Sequence, residues 1–133
     1  MKKPIFITIL LSFYFATSQP SSSVSIIDFV QVLNKNKAEA LFYYQNNWLQ
    51  LRIKALEKGY IASYQLLETQ PTAKTPYTFM LITTYKNNAQ YKASETHFNG
   101  LIAASDGLKL LNEKKPNTFR KVILNHDAVK HWH

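Results

Sequence analysis

The sequence contains no cysteine, so neither disulfide bonds nor cysteine metal ligands can form. Stability must come from side-chain packing in one core, which a chain of 133 residues is long enough to build, and self-association would add to it. The sequence also has no phosphate-binding loop, no nucleophile elbow, no solenoid repeat and no low-complexity tract. No catalytic residue and no cofactor is predicted from motifs.

Acidic residues are also scarce: 8 acidic residues stand against 16 basic ones, for a formal net charge of +8. The basic residues are spread from Lys35 to Lys130, with Lys114-Lys115 as a tight pair. No basic stripe alternates with aromatic rings, so the sequence predicts no binding to nucleic acid. The charge favours solubility and a weak preference for anionic partners.

The first twenty residues, "MKKPIFITILLSFYFATSQP", have the three-part pattern of a secretory signal peptide. Lys2 and Lys3 precede an apolar run at 5–16 that is short for a membrane span, and small residues follow at 16–18. We expect a signal peptide of residues 1–18, cleaved before Gln19, and a periplasmic or secreted protein of net charge +6 without a stable membrane anchor. A retained anchor or a buried N-terminal helix are the alternatives.

Beyond a polar leader at 19–23, with no reason to be ordered, the patterns predict one domain at 24–125 and a flexible tail with histidines at 126–133. Two helix starts carry capping signals: Asn36 with Glu39, and Asn87 with Gln90. The predicted elements are a strand around 26–33, a helix over 36–58, strands at 60–69 and 77–85, a helix over 87–105, a short helix at 107–112 and a strand at 118–124.

The first predicted helix has an apolar stripe at three-, four- and seven-residue intervals, which predicts its buried side. Tyr43 falls on the other side and is expected to face water. The stripe consists of Ala38, Phe42, Leu49, Ile53 and Leu56.

The order strand–helix–strand–strand–helix–strand predicts an α+β, ferredoxin-like βαββαβ fold. Such a fold has a four-stranded antiparallel sheet with two helices on one face. The other face would still carry large apolar side chains, so it needs a cover. Two copies placed sheet against sheet would bury it, which predicts a homodimer.

The runs "NWLQLRIKALEKGYIASYQLLE" and "YTFMLITTYKNNAQY" resemble the dimeric α+β barrel superfamily, and most closely its small exported bacterial proteins of unassigned role. The resemblance covers most of residues 24–124. Members of this fold include antibiotic-biosynthesis-type monooxygenases, haem-degrading enzymes and stress-responsive barrel proteins. The resemblance implies a ligand held between the helices and the sheet of each protomer.

Seven residues could line a ligand site in that place, with Arg52 or His97 as its polar group. The alternative for Tyr64 and Tyr85 is ordinary core, with hydroxyls bonded locally. His97 could equally be a surface or hydrogen-bonded core histidine. The seven are Tyr44, Trp48, Arg52, Tyr64, Tyr85, Tyr91 and His97.

The C-terminal stretch "NHDAVKHWH" contains His126, His131 and His133. Their spacing fits no structural zinc pattern, so no metal site is predicted, and casual metal affinity of a tail is the simpler interpretation.

The predicted function is an exported dimeric protein that binds a small hydrophobic or anionic ligand. The alternative is a cofactor-independent monooxygenase or haem-degrading type of enzyme. A protein-interaction module of the cell envelope is a third hypothesis.

Overall fold

The structure is a computed structural model that describes residues 22–133. The predicted signal peptide and the first three residues of the predicted leader lie outside this range. Within it, no helix combines the length and the apolar character needed to cross a bilayer.

Four strands form one sheet in the order β2-β3-β1-β4, and every neighbouring pair is antiparallel. This order, with the helices on one face, is the predicted ferredoxin-like α+β fold, which is confirmed. β3 lies between two partners, as its apolar residues on both faces predicted. The strands are β1 (Val24–Val32), β2 (Ser63–Glu68), β3 (Phe79–Tyr85) and β4 (Arg120–Lys130).

Two helical segments, both on the same face of the sheet, connect the strands. The first has α1 (Lys37–Tyr43) and α2 (Leu49–Glu57), which a π-helical segment at Tyr44–Trp48 joins without a break. The second has α3 (Asn88–Lys92) and α4 (Ser94–Ala103), which meet at Ala93. A 3-10 turn (Leu111–Glu113) and the short α5 (Pro116–Phe119) then lead into β4.

The two predicted helix caps have different outcomes. Asn87 caps α3 as predicted, because its Oδ1 accepts a hydrogen bond of 2.8 Å from the Gln90 amide. Asn36 makes no side-chain cap, so that prediction is wrong. Lys114 competes for it: the Lys114 ammonium donates to Asn36 Oδ1 at 2.8 Å and to Glu39 Oε1 at 3.1 Å.

The segment between α4 and β4 also differs from prediction. No α-helix forms at 107–112: residues 106–110 have no regular secondary structure, and Gly107 has a φ of +88°. Asn112 and Glu113 also have positive φ values, which are incompatible with a right-handed helix. Pro116 begins α5, since proline is well suited to the first helical position.

β4 is longer than the strand predicted at 118–124. It continues along β1 as far as the pair Val24–Lys130, past two register shifts. His131 then lies with Nε2 2.7 Å from Ser25 Oγ, which is itself 2.7 Å from Thr84 Oγ1. Residues 126–130, predicted as part of a tail, belong to the sheet because β1 offers them unpaired backbone groups along its full length.

The core between helices and sheet has two parts. β3 contributes to both, since alternate residues from Phe79 to Tyr85 are buried beneath the helices. We call the parts the first and the second cluster. The first cluster contains Val30, Ala40, Tyr44, Phe79, Leu81 and Phe119. The second contains Ala55, Ile61, Tyr85 and Leu101.

The predicted apolar stripe of the first helix is wrong in phase. Its buried apolar residues are Ala40, Tyr44 and Ala55, whereas Ala38 and Leu56 are exposed. A single 3.6-residue period cannot run through the π-helical segment, which has a wider turn and rotates α2 relative to α1. Tyr43, predicted to face water, instead packs with its ring centroid 5.5 Å from that of Phe119.

The sheet face opposite the helices, here called the open face, carries a row of apolar side chains. Phe29 lies at its centre, paired with Met80 on one side and Leu124 on the other. Its ring contacts Tyr77 and His126 edge-on, at centroid distances of 4.8 and 6.0 Å. The apolar members are Ile27, Phe29, Leu67, Met80, Ile82 and Leu124.

Candidate ligand cavity

A cavity of about 350 Å³ lies between the helices and the sheet, at the end of the interface formed by the first cluster. Such a volume falls at the lower end of the range for small-molecule sites, about 300–1,000 Å³. The sheet supplies Asp28, Leu81, Arg120 and Val122. The helices and the loop after α4 supply Tyr43, Tyr44, Asn46, Asn47, Trp48, Gln50, Leu51, Lys54, Ile102 and residues 105–109.

The π-helical segment forms one wall of the cavity. Its wider turn leaves backbone carbonyls without their usual partners, and two side chains replace them. Asn46 Nδ2 donates to the Phe42 carbonyl and Asn47 Nδ2 to the Tyr43 carbonyl, each at 2.9 Å. The irregular turn is therefore supported at the place where Tyr44 and Trp48 face the cavity.

Asn47 also holds the loop that borders the cavity. Its Oδ1 accepts a hydrogen bond of 2.7 Å from the Lys109 amide, and its Nδ2 donates to the Lys109 carbonyl at 2.8 Å. One side-chain amide thus pairs with both backbone groups of a single residue, as a neighbouring strand would. We call residues 105–109 the roof loop.

A carboxylate lies on the sheet side of the cavity. Asp28 pairs with Leu81 of β3 and Asn125 of β4, so it shares the helix-facing side of the sheet with Leu81. Asn125 Nδ2 donates to Asp28 Oδ1 at 2.5 Å. Because a carboxylate can accept several hydrogen bonds, Asp28 retains acceptor capacity toward the cavity.

Two buried polar atoms beside the cavity have no hydrogen-bond partner among the described residues: the Tyr44 hydroxyl and Arg120 Nε. Burial raises the pKa of Tyr44, the positive charge of Arg120 opposes that rise, and the charges of Tyr43 and Asp28 add to it. The Arg120 guanidinium lies over the Tyr43 ring, 5.3 Å from its centroid. Unpaired buried polar atoms are rare, and each needs a reason.

Arg52 does not line the cavity but contacts Trp48, which does. Its guanidinium carbon is 4.5 Å from the centroid of the Trp48 ring and 4.3 Å from that of Phe98. Its Nε donates to Thr83 Oγ1 at 3.1 Å. Burial lowers the pKa of Arg52 to about 10, so it remains a cation at neutral pH, held between two rings.

The structure divides the seven predicted site residues. Tyr44 and Trp48 line the cavity, and Arg52 supports Trp48 from behind. The other four lie with the second cluster: Tyr85 is buried there, Tyr64 and Tyr91 pack against it, and His97 stacks on Tyr60 at a centroid distance of 3.7 Å. Those four are not brought to the cavity.

Sequence reasoning missed Asp28, Asn47 and Arg120 as cavity residues. Asp28 carried a signal, because it interrupts the apolar alternation of the first strand. Arg120 carried none, since one basic residue at the start of a strand is ordinary. The role of Asn47 depends on the π-helical segment, which no local pattern indicated.

The histidines at the C-terminal end form no metal cluster in the structure. Across residues 22–133, no group of three or more His, Cys, Asp or Glu side chains is placed to hold a metal ion. His126 packs on Phe29 and His131 bonds to Ser25, so both contribute to the open face.

No protein-family model matches the chain, and no curated protein matches it significantly. Among solved structures, the crystal structure of HapK from Hahella chejuensis is similar, with a TM-score of 0.50. The alignment covers 81% of this chain and 92% of HapK, at 15% sequence identity. A likeness at this identity concerns the fold alone, and it agrees with the α+β sheet and helices described above.

Proposed function

We propose that this protein is an exported homodimer that binds a small, largely apolar molecule in the cavity between its helices and its sheet. The observation that carries the proposal is the cavity itself, about 350 Å³ in volume and lined by aromatic and aliphatic side chains together with a similar number of polar and charged ones. This combination is typical of small-molecule sites. The dimer and the export are separate parts of the proposal, with separate tests.

Ligand binding can be tested by narrowing the mouth of the cavity. Ile102 lines it and is more than half exposed, so Ile102→Trp adds bulk at the mouth without disturbing the core. Leu56→Trp is the matched control, because Leu56 is an exposed aliphatic residue of α2 that does not line the cavity. Titration calorimetry with two-ring aromatic compounds should show weaker binding to the Ile102 variant alone. Equal binding by both variants would contradict the cavity as the binding site.

The proposed dimer joins two open faces. The apolar row centred on Phe29 has the composition of an interface core, and Lys121, paired with Gln31, brings one positive charge to that side of the sheet. A second copy covers this row with an equally apolar one, which suits a self-complementary contact about a two-fold axis. Two copies can meet here although each carries a net positive charge, because little of that charge lies on the open face.

Sedimentation or light scattering tests the dimer. The wild type should have twice the monomer mass at micromolar concentration, and Leu124→Lys on the open face should yield monomers. Leu56→Lys, on a helix of the opposite face, should leave the mass unchanged. A monomeric wild type would refute the dimer without bearing on the cavity.

Export rests on the sequence of residues 1–18. Expression of the full chain in a bacterial host, followed by fractionation and intact-mass measurement, should recover a chain that begins at Gln19 outside the cytoplasm. Recovery of the uncleaved chain in the membrane would favour the retained anchor. The alternative enzymatic function stays a prediction, since nothing in the described residues favours it over binding.

A further inference from the structure

The polar groups of the cavity indicate which chemical group a ligand presents to them. Asp28 is an acceptor with one donor, Asn125, among its described partners. Arg120 is a donor whose buried Nε has no hydrogen-bond partner among the described residues. Both residues line the cavity.

Asp28 and Arg120 do not neutralise each other directly. Lys37–Glu68 and Lys114–Glu39 are the ion pairs formed within the described part of the chain, so the Asp28 carboxylate and the Arg120 guanidinium are more than 4 Å apart. Tyr44 lies within range of both charges, which shift its pKa in opposite directions. An acceptor and a donor thus border one cavity with a gap between them.

We propose that the cavity selects ligands whose polar end donates and accepts hydrogen bonds side by side without a net charge, as an unsubstituted carboxamide does. This inference rests on the proposed binding function and names its ligand class. The N–H of such a group donates to Asp28, and its carbonyl accepts from the Arg120 guanidinium, which carries several N–H donors. Both sides of the gap are then hydrogen-bonded, which favours such a group over one that pairs only one side.

Charged polar ends fit less well for electrostatic reasons. A ligand carboxylate would pair with Arg120 on one side of the gap. On the other side Asp28 would repel it, and it has no hydrogen to donate to that acceptor. A ligand ammonium would be repelled by Arg120, Lys54 and Lys109, and it cannot accept a hydrogen bond. Each charged group would satisfy one side of the gap and leave the other unpaired.

The test titrates four compounds that share one naphthalene ring system into the purified protein by calorimetry. They are 2-naphthamide, its N,N-dimethyl derivative, 2-naphthoate and 2-naphthylmethylammonium. The unsubstituted amide should bind best, and the dimethyl amide, which only accepts, should bind about tenfold more weakly because its lost N–H leaves Asp28 unpaired. Both charged compounds should bind more weakly than the unsubstituted amide.

Variants locate the effect. Arg120→Met removes the donor and should reduce the affinity for 2-naphthamide to about that of the dimethyl amide. Lys121→Met removes the same charge from the next residue of β4, which does not line the cavity, and should leave affinity unchanged. Asp28→Val should abolish the difference between the two amides.

The outcomes separate the two proposals. Binding of all four compounds with similar affinity, or tightest binding of the carboxylate or the ammonium, would overturn the ligand class while leaving the binding function in place. No binding by any of the four would overturn the proposed binding function, and the ligand class with it.

Discussion

Aromatic side chains fill the core at one end of the helix–sheet interface and border a cavity at the other. At the second cluster, Tyr85 is fully buried and contacts the Tyr91 ring at a centroid distance of 5.6 Å. At the first cluster, Tyr43 and Tyr44 meet at 5.2 Å, yet both border open space. Ring-to-ring packing is therefore equally close at both ends.

The difference lies in what faces the rings. At the second cluster, α4 lies against α2, and Leu101 and Phe98 fill the space above the sheet. At the first cluster, α4 has ended and the roof loop, which has no regular secondary structure, spans the gap. A loop with small and polar residues cannot fill the volume that a helix fills, so a cavity remains. The end of α4, rather than the aromatic residues, therefore determines where space for a ligand remains.

The largest expected contrast comes from one substitution made at both ends. Leu101 and Leu81 are almost equally buried, at 7% and 4% exposure, but Leu81 borders the cavity. Leu101→Ala should cost about 4 kcal/mol of unfolding free energy, and Leu81→Ala about 2 kcal/mol, because Leu81 already lacks contacts on one side. Denaturant unfolding measures both, and an equal or larger loss at Leu81 would mean that the cavity is filled in solution.

The second contrast concerns Arg52, which lies between the two ends. Arg52→Lys should cost roughly 1–2 kcal/mol of unfolding free energy, because an ammonium cannot stack flat between Trp48 and Phe98 and is costly to desolvate. Arg52→Met keeps an apolar contact with both rings and should be the more stable of the two variants. Thermal and denaturant unfolding give the order, and a lysine variant as stable as the wild type would show that stacking contributes nothing.

The roof loop provides a third contrast, between neighbouring asparagines. Asn47→Ala removes both hydrogen bonds to Lys109 and should cost about 1–2 kcal/mol of unfolding free energy. It should also speed trypsin cleavage after Lys109, since the loop backbone is released. Asn46→Ala removes a single local bond to the Phe42 carbonyl and is the matched control. If both variants are cleaved at the same rate, Asn47 does not hold the roof loop.

The smallest effect is a pH dependence at Glu39, which ties α1 to the segment after the roof loop. Hydrogen bonds from its own backbone amide, Lys114 and Asn112 lower the pKa of this carboxyl. A lowered folded-state pKa means that stability from the carboxylate is present above the ordinary value of 4.5 and is lost as the pH falls through the folded-state value. Glu39→Gln should therefore be less stable than the wild type near pH 7, and the difference should shrink below pH 4.5. A difference that does not vary with pH would mean that the carboxylate charge is not involved.

Much of the fold could be predicted because its signals are local. Alternation in "YTFMLITTY" indicated a central strand, and the Asn87 capping signal correctly predicted the start of the second helical segment. The predicted Asn36 cap does not form because the Lys114 ammonium, 78 positions further along the chain, donates a hydrogen bond to the Asn36 side-chain oxygen. The predicted apolar stripe of the first helix was wrong. One helical period cannot be continued from α1 into α2, because the π-helical segment between them has a wider turn, and no local sequence pattern indicated that segment.

The cavity lies between the helices and the sheet, where the resemblance implied a ligand, and two of the seven predicted residues line it. A ring-rich first helix indicated an aromatic wall, and Tyr44 and Trp48 do line the cavity. Asp28 lies on β1 and Arg120 at the start of β4. These strands are far apart in the sequence and become neighbours only in the sheet, so no sequence spacing relates the two residues.

The sequence by itself determined the order of the elements and the α+β class, because periodicity, caps and turns act over a few residues. Tertiary structure alone decided which aromatic residues border empty space and which fill the core. That choice depends on where α4 ends above the sheet and on how Asn47 positions the roof loop, which are contacts between segments about sixty residues apart.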